Sequence, residues 1–289
     1  MTLIDLIEAA AARLDAADVA YGHGTTNAFD EAAWLVLWKL GLPLDALDAH
    51  AADPVDAAGR AAALALVDER IASRKPAAYL TGEAWLQGVP FFVDERAIVP
   101  RSFIAELVAD GGFDAWLGPH TRRVLDLCTG NGSLAVLAAM AWPEVEVIGG
   151  DISEDALAVA RRNVERHGLQ DRIALVRSDG LAALPGPWDL VLCNPPYVNA
   201  ASMAALPPEF RAEPALALAG GDDGMDFVRR LLAELPARLA PQGVLVLEIG
   251  HERAHFERAF PRLEAVWLET SAGADQVLLL TREALEAGL

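Results

Sequence analysis

Cysteine is nearly absent from this sequence: only Cys128 and Cys193 occur among 289 residues. Two thiols, each at the end of an apolar run, provide neither a disulfide framework nor a CxxC metal pair, and both read by default as small buried hydrophobes. Long hydrophobic runs are missing as well. No stretch approaches the roughly 18 apolar residues of a membrane-spanning helix, and the first segment, Met1 to Ala20, carries four acids and one arginine, unlike a secretory signal. A cytoplasmic, membrane-free protein is expected. Basic residues are in the minority, 23 Lys and Arg against 42 Asp and Glu, which leaves a net charge of -19. Gripping a phosphate backbone needs clustered Lys and Arg, so no direct DNA binding is expected and a basic protein partner fits better. Repeats and low-complexity runs are also lacking.

What is present is a chain with 53% hydrophobic and 22% charged residues, a composition that excludes disorder and supports one large or two smaller cores. Residues 1 to 75 read as a small helical domain. Leu3, Leu6 and Ile7, then Trp34, Leu35, Leu37 and Trp38, then Leu64, Leu66, Val67 and Ile71 recur near the helical period, and Gly41 followed by Pro43 ends the second helix. The pair Trp34 and Trp38 shares a helix face and reads as core. Residues 76 to 100 form a linker, in which Gln87-Gly88 between Ala84-Trp85-Leu86 and Pro90-Phe91-Phe92-Val93 predicts a β-hairpin. From about residue 101 to 289 strands and helices alternate. The strands are Arg123 to Leu127, Val145 to Gly150, Ile173 to Val176, Trp188 to Cys193, Val244 to Ile249, Ala265 to Leu268 and Gln276 to Leu280. The helices are Ser133 to Ala141, Glu154 to His167, Met225 to Leu239 and Glu252 to Phe260. This alternation predicts an α/β fold with a doubly wound, mostly parallel sheet.

In such a sheet ligands bind beyond the carboxyl ends of the strands, and those ends carry the unusual residues. The first strand runs through Asp126 into Cys128-Thr129-Gly130-Asn131-Gly132, where glycines allow a tight turn and close approach of a ligand. A lone Gly-x-Gly is also an ordinary strand-to-helix turn. Asp151 closes the second strand, where a carboxylate can accept both hydroxyls of a ribose or, alternatively, cap the helix that begins after Ser153. Asp179, followed by Gly180, closes the third and can accept from an adenine amino group or start a turn. The fourth ends in Asn194-Pro195-Pro196-Tyr197. Two prolines remove two backbone donors and stiffen the chain, so it leaves the sheet as an extended hook with unpaired carbonyls. A nicotinamide site, which expects Gly-x-Gly-x-x-Gly, is demoted but not excluded, since Ala135 at the third position is tolerable.

Asn194-Pro195-Pro196-Tyr197 resembles the signature of S-adenosylmethionine-dependent methyltransferases that act on planar amino groups. The resemblance widens with Ala78 to Trp85, Val99-Pro100-Arg101-Ser102, Ile104 to Leu107, Asp126 to Gly132 and Leu206-Pro207-Pro208-Glu209-Phe210, which are similar to the protein-glutamine N5-methyltransferase family over most of residues 64 to 280. It implies a class I, Rossmann-like methyltransferase with a seven-stranded sheet and S-adenosyl-L-methionine as cofactor. Thr129, Gly130, Asn131 and Gly132, with Asp126 and Cys128, then lie toward the methionine end, Asp151 at the ribose, and Asp179 with Gly180 on the adenine side. Asn194 and Pro195 would hold the amide, with Pro196 and Tyr197 completing the hook. The Pro-Arg-Ser and Ile-Ala-Glu-Leu wording is similar to the branch that modifies a glutamine of the third large-subunit ribosomal protein. The release-factor branch is the alternative, and a nucleic-acid adenine N6-methyltransferase a more distant one. Two positions depart from the pattern: Phe103 replaces a usual proline, and Gly180 stands where a bulkier side chain is common.

One further motif competes for attention. His251-Glu252-Arg253-Ala254-His255 spells the H-E-x-x-H pattern of zinc proteases. A zincin needs a third ligand and an open cleft, whereas this pentad directly follows an apolar strand, so no metal is expected. Glu248, at the end of that strand, is the better candidate for the active-site rim. A non-enzymatic adaptor using the helical domain alone is the remaining reading.

Overall fold

The computed structural model describes all 289 residues. The chain begins with helices α1 (Leu3–Ala16), α2 (Ala28–Leu40), α3 (Leu47–His50), α4 (Ala57–Ser73) and α5 (Ala77–Thr81). Local chemistry sets their ends. Thr2 and Asp5 form a reciprocal capping box on α1, Asn27 caps α2 through the Asp30 N–H, and α2 stops at Gly41 in the left-handed region. Leu3, Leu6, Ile7, Leu14, Leu35 and Val67 from α1, α2 and α4 then bury one shared core. Trp34 is buried in it and Trp38 packs half-buried against it, as the helical spacing implied.

Strands β1 (Glu83–Leu86) and β2 (Val89–Phe92) pair antiparallel, with Trp85 opposite Pro90. Gln87 and Gly88 both take positive φ, the tight hairpin geometry that their position predicted. After α6 (Ile104–Asp110) come β3 (Arg123–Leu127), α7 (Ser133–Ala141), β4 (Glu146–Asp151), α8 (Glu154–Arg166), β5 (Ile173–Arg177) and β6 (Trp188–Cys193). Helices α9 (Ala200–Ala205), α10 (Pro208–Arg211) and α11 (Asp226–Glu234) precede β7 (Leu239–Glu248). Finally α12 (Arg253–Ala259), β8 (Val266–Thr270), β9 (Gly273–Thr281) and α13 (Arg282–Gly288) close the chain.

The seven strands are ordered β5-β4-β3-β6-β7-β9-β8, parallel except that β9 runs antiparallel to both its neighbours. Strand β6 is apolar throughout its last four residues because both of its faces are covered. Leu190 and Leu192 pack with Ile104, Leu107 and Leu134 on one side, while Val191 and Cys193 pack with Leu231, Phe256 and Leu285 on the other. The chain winds outward from β3 to β5 and returns to place β6 beside β3, with Leu127 level with Cys193. A crevice must open between the loops leaving those two strands.

Several boundaries differ from the expectation. The helix predicted to reach Leu239 ends at Glu234 and tightens into a 3-10 turn over Leu235–Arg238, because Pro236 has no N–H to continue the ladder. Strand β7 begins at Leu239, recruited by Trp188 across a bulge, instead of at Val244. Helix α13 was not anticipated; the Thr281 hydroxyl caps it by accepting from the Ala284 N–H. The short helices α9 and α10 after the hook also lacked a visible period. No helix is long and apolar enough to cross a membrane.

Candidate active site

Two cavities meet where β3 and β6 end. The larger, about 350 Å³, runs along the ends of β3, β4 and β5 and is lined by Cys128, Gly130, Asp151, Asp179, Gly180, Asn194 and Pro196 among the residues singled out from sequence. The smaller, about 160 Å³, is lined by Asn194, Pro195 and Tyr197 together with Ile98, Arg101, Leu206 and Phe210. Asn194, Ile98 and Ala217 face both. The hook therefore forms the partition between a cofactor-sized cleft and a chamber with room for one side chain.

Around the first strand the predicted residues divide. Cys128, Gly130 and Gly132 take φ of 62°, 55° and 81°, folding the turn back beneath the cleft. Cys128 is half-buried at the cleft wall, so its default reading as a buried hydrophobe is corrected; the positive φ swings it out of the sheet, whereas Cys193 stays buried. Thr129, Asn131 and Gly132 do not line the cleft but brace it from behind. The Thr129 hydroxyl donates to Asp126 at 2.5 Å, the Asn131 carbonyl accepts from Asn163 at 2.8 Å, and a side chain at Gly132 would meet Ala160 at 3.0 Å. Asp126 is 1% exposed; one oxygen also accepts from the Ala135 N–H at 3.0 Å, and the other, Oδ1, has no partner. Burial pushes its carboxyl up to about 7, against the pull of those two hydrogen bonds.

Asp151 is not a helix cap. Ser153 caps α8 through the Ala156 N–H, while the two Asp151 oxygens accept from the Gly130 and Ser153 N–H groups at 2.9 Å each, which fixes the carboxylate at the cleft wall. Burial raises its pKa, opposed by those backbone donors. Asp179 is exposed at the cleft edge and pairs with Arg230 of α11 at 3.1 Å. Gly180 has φ 55° and open space where a side chain would be; Phe227 and Arg230 line the same end of the cleft from α11. Neither residue carried a signal in the sequence beyond its place on an amphipathic helix.

The hook itself is rigidly held. No backbone hydrogen bond ends on the carbonyls of Asn194, Pro195 or Pro196, which leaves them available as acceptors. Tyr197 is packed among backbone: a Cβ on Gly220 would lie 2.7 Å from its Cα, one on Gly224 2.2 Å from its carbonyl oxygen, and one on Gly250 2.5 Å from its ring. Its hydroxyl donates to Glu248 Oε1 at 3.4 Å, and burial raises its pKa. Glu248 lines neither cavity but is buried behind Tyr197, where it also accepts from the Ser102 hydroxyl at 2.6 Å and the Phe103 N–H at 2.9 Å. The departure at Phe103 thus adds a donor that proline lacks. Burial raises the Glu248 carboxyl, against those donors.

The far wall comes from long-range ion pairs that sequence reasoning missed. Arg101 forks onto Glu213 at 2.6 and 2.7 Å, and Glu213 also accepts from the Val99 N–H at 2.9 Å and lies 3.3 Å from His23. Burial alone would raise the Glu213 carboxyl, but Arg101 and His23 outweigh it and hold it at about 2. One turn earlier Glu209 meets Arg74 at 2.7 Å and Arg70 at 3.4 Å, while Arg70 binds Glu31 at 2.8 Å. Arg101 and Phe210 did stand inside quoted motifs, but only the fold gives them this place.

The H-E-x-x-H pentad makes no ligand set. Helix α12 starts only at Arg253, and Glu252 accepts from Asn199 Nδ2 at 2.6 Å and contacts His255 Nδ1 at 2.5 Å, steadying the chain just after the hook.

A switch-point crevice walled by a Gly-x-Gly turn, an acid closing the second strand and an Asn-Pro-Pro-Tyr hook defines a class I methyltransferase whose cofactor is S-adenosyl-L-methionine. Residues 113–266 match the Methyltransferase small domain family. The chain is 58% identical over 98% of its length, and 96% of the relative's, to the ribosomal protein uL3 glutamine methyltransferase of Bordetella pertussis. It is 50% identical to that of Burkholderia pseudomallei, covering 99% of this chain and 96% of the other. The corresponding Neisseria gonorrhoeae protein is 46% identical, covering 98% and 95%. The chain belongs to the ribosomal protein uL3 glutamine methyltransferase family. Among solved structures, the hMettl16 catalytic domain bound to an RNA hairpin shares the fold, with a TM-score of 0.53 at 16% identity, covering 78% of this chain and 81% of that one.

Proposed function

We propose that this chain transfers the methyl group of S-adenosylmethionine to the side-chain amide nitrogen of a glutamine in ribosomal protein uL3. The observation that carries the reading is Asn194 on the partition between the two cavities. The chain's residues fit the cofactor: Gly130 offers a side-chain-free approach, with only the Cys128 carbonyl 4.0 Å from where a Cβ would stand. The orphaned Oδ1 of Asp126 is a buried acceptor suited to the cationic methionine end. Asp151 would accept the ribose hydroxyls, and Asp179, with Phe227, would face the adenine. When bound, the cofactor supplies a methyl already activated by the positive sulfonium.

An amide nitrogen is a weak nucleophile because its lone pair is delocalised into the carbonyl. Asn194 Oδ1 and the Pro195 carbonyl would accept the two amide hydrogens, fixing the nitrogen with its lone pair toward the cleft. As the N–CH3 bond forms, the S–CH3 bond breaks to leave a neutral thioether, and one of the two hydrogens departs to solvent as a proton by way of the acceptor that holds it. Tyr197 lies along the amide plane. The side-chain chamber contains no carboxylate, in keeping with catalysis by positioning instead of by a general base. Residues 1 to 75 are proposed to receive the partner, 76 to 100 to link, and 101 to 289 to carry out transfer. With a net charge of -19 the surface attracts a basic ribosomal protein in the cytoplasm and repels nucleic acid.

The test is incubation with S-adenosylmethionine and equal amounts of uL3, a release factor and DNA at low salt, followed by mass spectrometry. A 14-dalton gain on one uL3 glutamine is expected, about the mass of a methyl replacing a hydrogen. Preferential labelling of the release factor or of DNA would overturn the substrate assignment.

A further inference from the structure

We infer that a third cavity, on the helical part of the chain, is a docking groove for an apolar side chain of the substrate protein, placed a few residues from the methylated glutamine and flanked by basic residues. This deepens the proposed function and rests on it. The groove holds about 340 Å³, nearly the volume of the cofactor cleft, and is walled by Phe29, Trp34, Leu44, Leu47 and Trp85. Phe29 and Trp85 are 39% and 45% exposed. Two other exposed large hydrophobics, Ile152 and Leu216, line the cofactor cleft. The cofactor cleft thus carries uncovered apolar side chains for a ligand, and this groove, with a volume nearly as large, carries two more.

Its position ties it to the chemistry. The segment Ile98 to Arg101 separates the groove from the side-chain chamber: Ile98 and Arg101 face the chamber, and Val99 and Pro100 face the groove. Only one thickness of backbone lies between them. An extended chain advances about 3.3 Å per residue, so a substrate strand with its glutamine in the chamber can place a neighbouring side chain in the groove across this single segment.

Charge selects the occupant. No Lys or Arg lines the groove, Asp30 stands on its rim, and Asp45 and Asp48 are exposed beside Leu44 and Leu47. A second copy of this chain, with the same charge of -19, is repelled, whereas a basic polypeptide bearing one apolar anchor is complementary in both respects.

The experiment uses the full-length enzyme, the S-adenosylmethionine cofactor, intact uL3, and a short peptide that carries the glutamine with only two residues on either side. Phe29→Ala and Trp85→Ala are compared with the wild type, and thermal melting and cofactor affinity confirm that each variant is folded. The KM for intact uL3 should rise about ten- to a hundredfold, the loss from uncovering one large apolar anchor. The kcat and the rate with the short peptide should stay within twofold. Asp30→Lys should raise the KM for uL3 in the same selective way. An unchanged KM for uL3, or an equal loss with the peptide, overturns the groove assignment while leaving the function intact. Failure of the wild type to methylate uL3 overturns the function itself, and the groove's assigned occupant with it.

Discussion

Substituting Gly250 by Ala tests the seat of the hook most directly. Gly250 takes φ 54°, and a Cβ there would stand 2.5 Å from Tyr197 Cε2, 3.0 Å from Cζ and 3.3 Å from Cδ2. Carbon atoms pack favourably near 3.5–4.0 Å, so the ring must retreat by about 1 Å. It has nowhere to go without taking backbone with it, since Gly220 and Gly224 press on the Tyr197 main chain and Glu248 holds its hydroxyl. The left-handed conformation costs an alanine about 1–2 kcal/mol and the overpacking about 1–3 kcal/mol, a total of about 2–5 kcal/mol. A displacement near 1 Å at the reacting centre is enough for a loss of about 100-fold in turnover. The kcat for uL3 should fall by that order, with the cofactor Kd measured by calorimetry close to wild type. The double variant Gly250→Ala with Tyr197→Ala should lose less stability than the two single variants summed, because the clashing ring is gone, and should not regain activity. A single variant with kcat within twofold of wild type would refute the idea that these glycines set the ring.

Three other outcomes follow from named contacts. Asn194→Ala should lower methyl transfer far more than cofactor affinity, and unchanged turnover would discard the amide-holding role. Asp126 is protonated more readily in the folded chain, near pH 7, than in the unfolded chain, near 4, so its contribution to stability declines as pH rises across that interval. The melting temperature of Asp126→Asn relative to wild type should therefore climb between pH 4 and 7, and a constant difference would contradict the raised carboxyl. Glu31→Ala removes the nearer of the two carboxylates that hold Arg70, which is 0% exposed, and should cost about 3–5 kcal/mol in denaturant unfolding; a loss under about 1 kcal/mol would mean that Glu209 alone compensates Arg70.

The sheet was legible because its central strands are buried on both faces and so read as short unbroken apolar runs between amphipathic helices, as Leu190 to Cys193 illustrates. The ends of those strands were legible because glycine, proline and acids stand there against an apolar background. Three kinds of feature were not. The end of β7 nearest Leu239 and its bulge depend on pairing with Trp188, a partner some 50 residues away in sequence. The bidentate hold of Glu213 on Arg101 spans 112 positions, and no local pattern marks either residue as half of a pair. Gly220, Gly224 and Gly250 look like ordinary turn glycines until Tyr197 is seen against them. Asp151 shows the reverse case, where spacing left ribose acceptor and helix cap open and geometry removed the second.

The buried carboxylates of Glu209 and Glu213 have a consequence for how the molecule comes apart. Both sit on the segment that follows the hook, yet their guanidinium partners are Arg70 on α4, Arg74 at its C-terminal cap, and Arg101 in the stretch before α6. Were the helices to detach first, Glu209 would lose both its cations and Glu213 its His23 contact, while Arg70 would keep only Glu31 and the Ala20 carbonyl. Stripping one member from a buried ion pair costs about 3–5 kcal/mol, and here several pairs would open together. That toll closes the route through half-folded forms. The helices and the sheet should therefore melt as one body, and a calorimetric trace with two separate transitions would contradict this coupling.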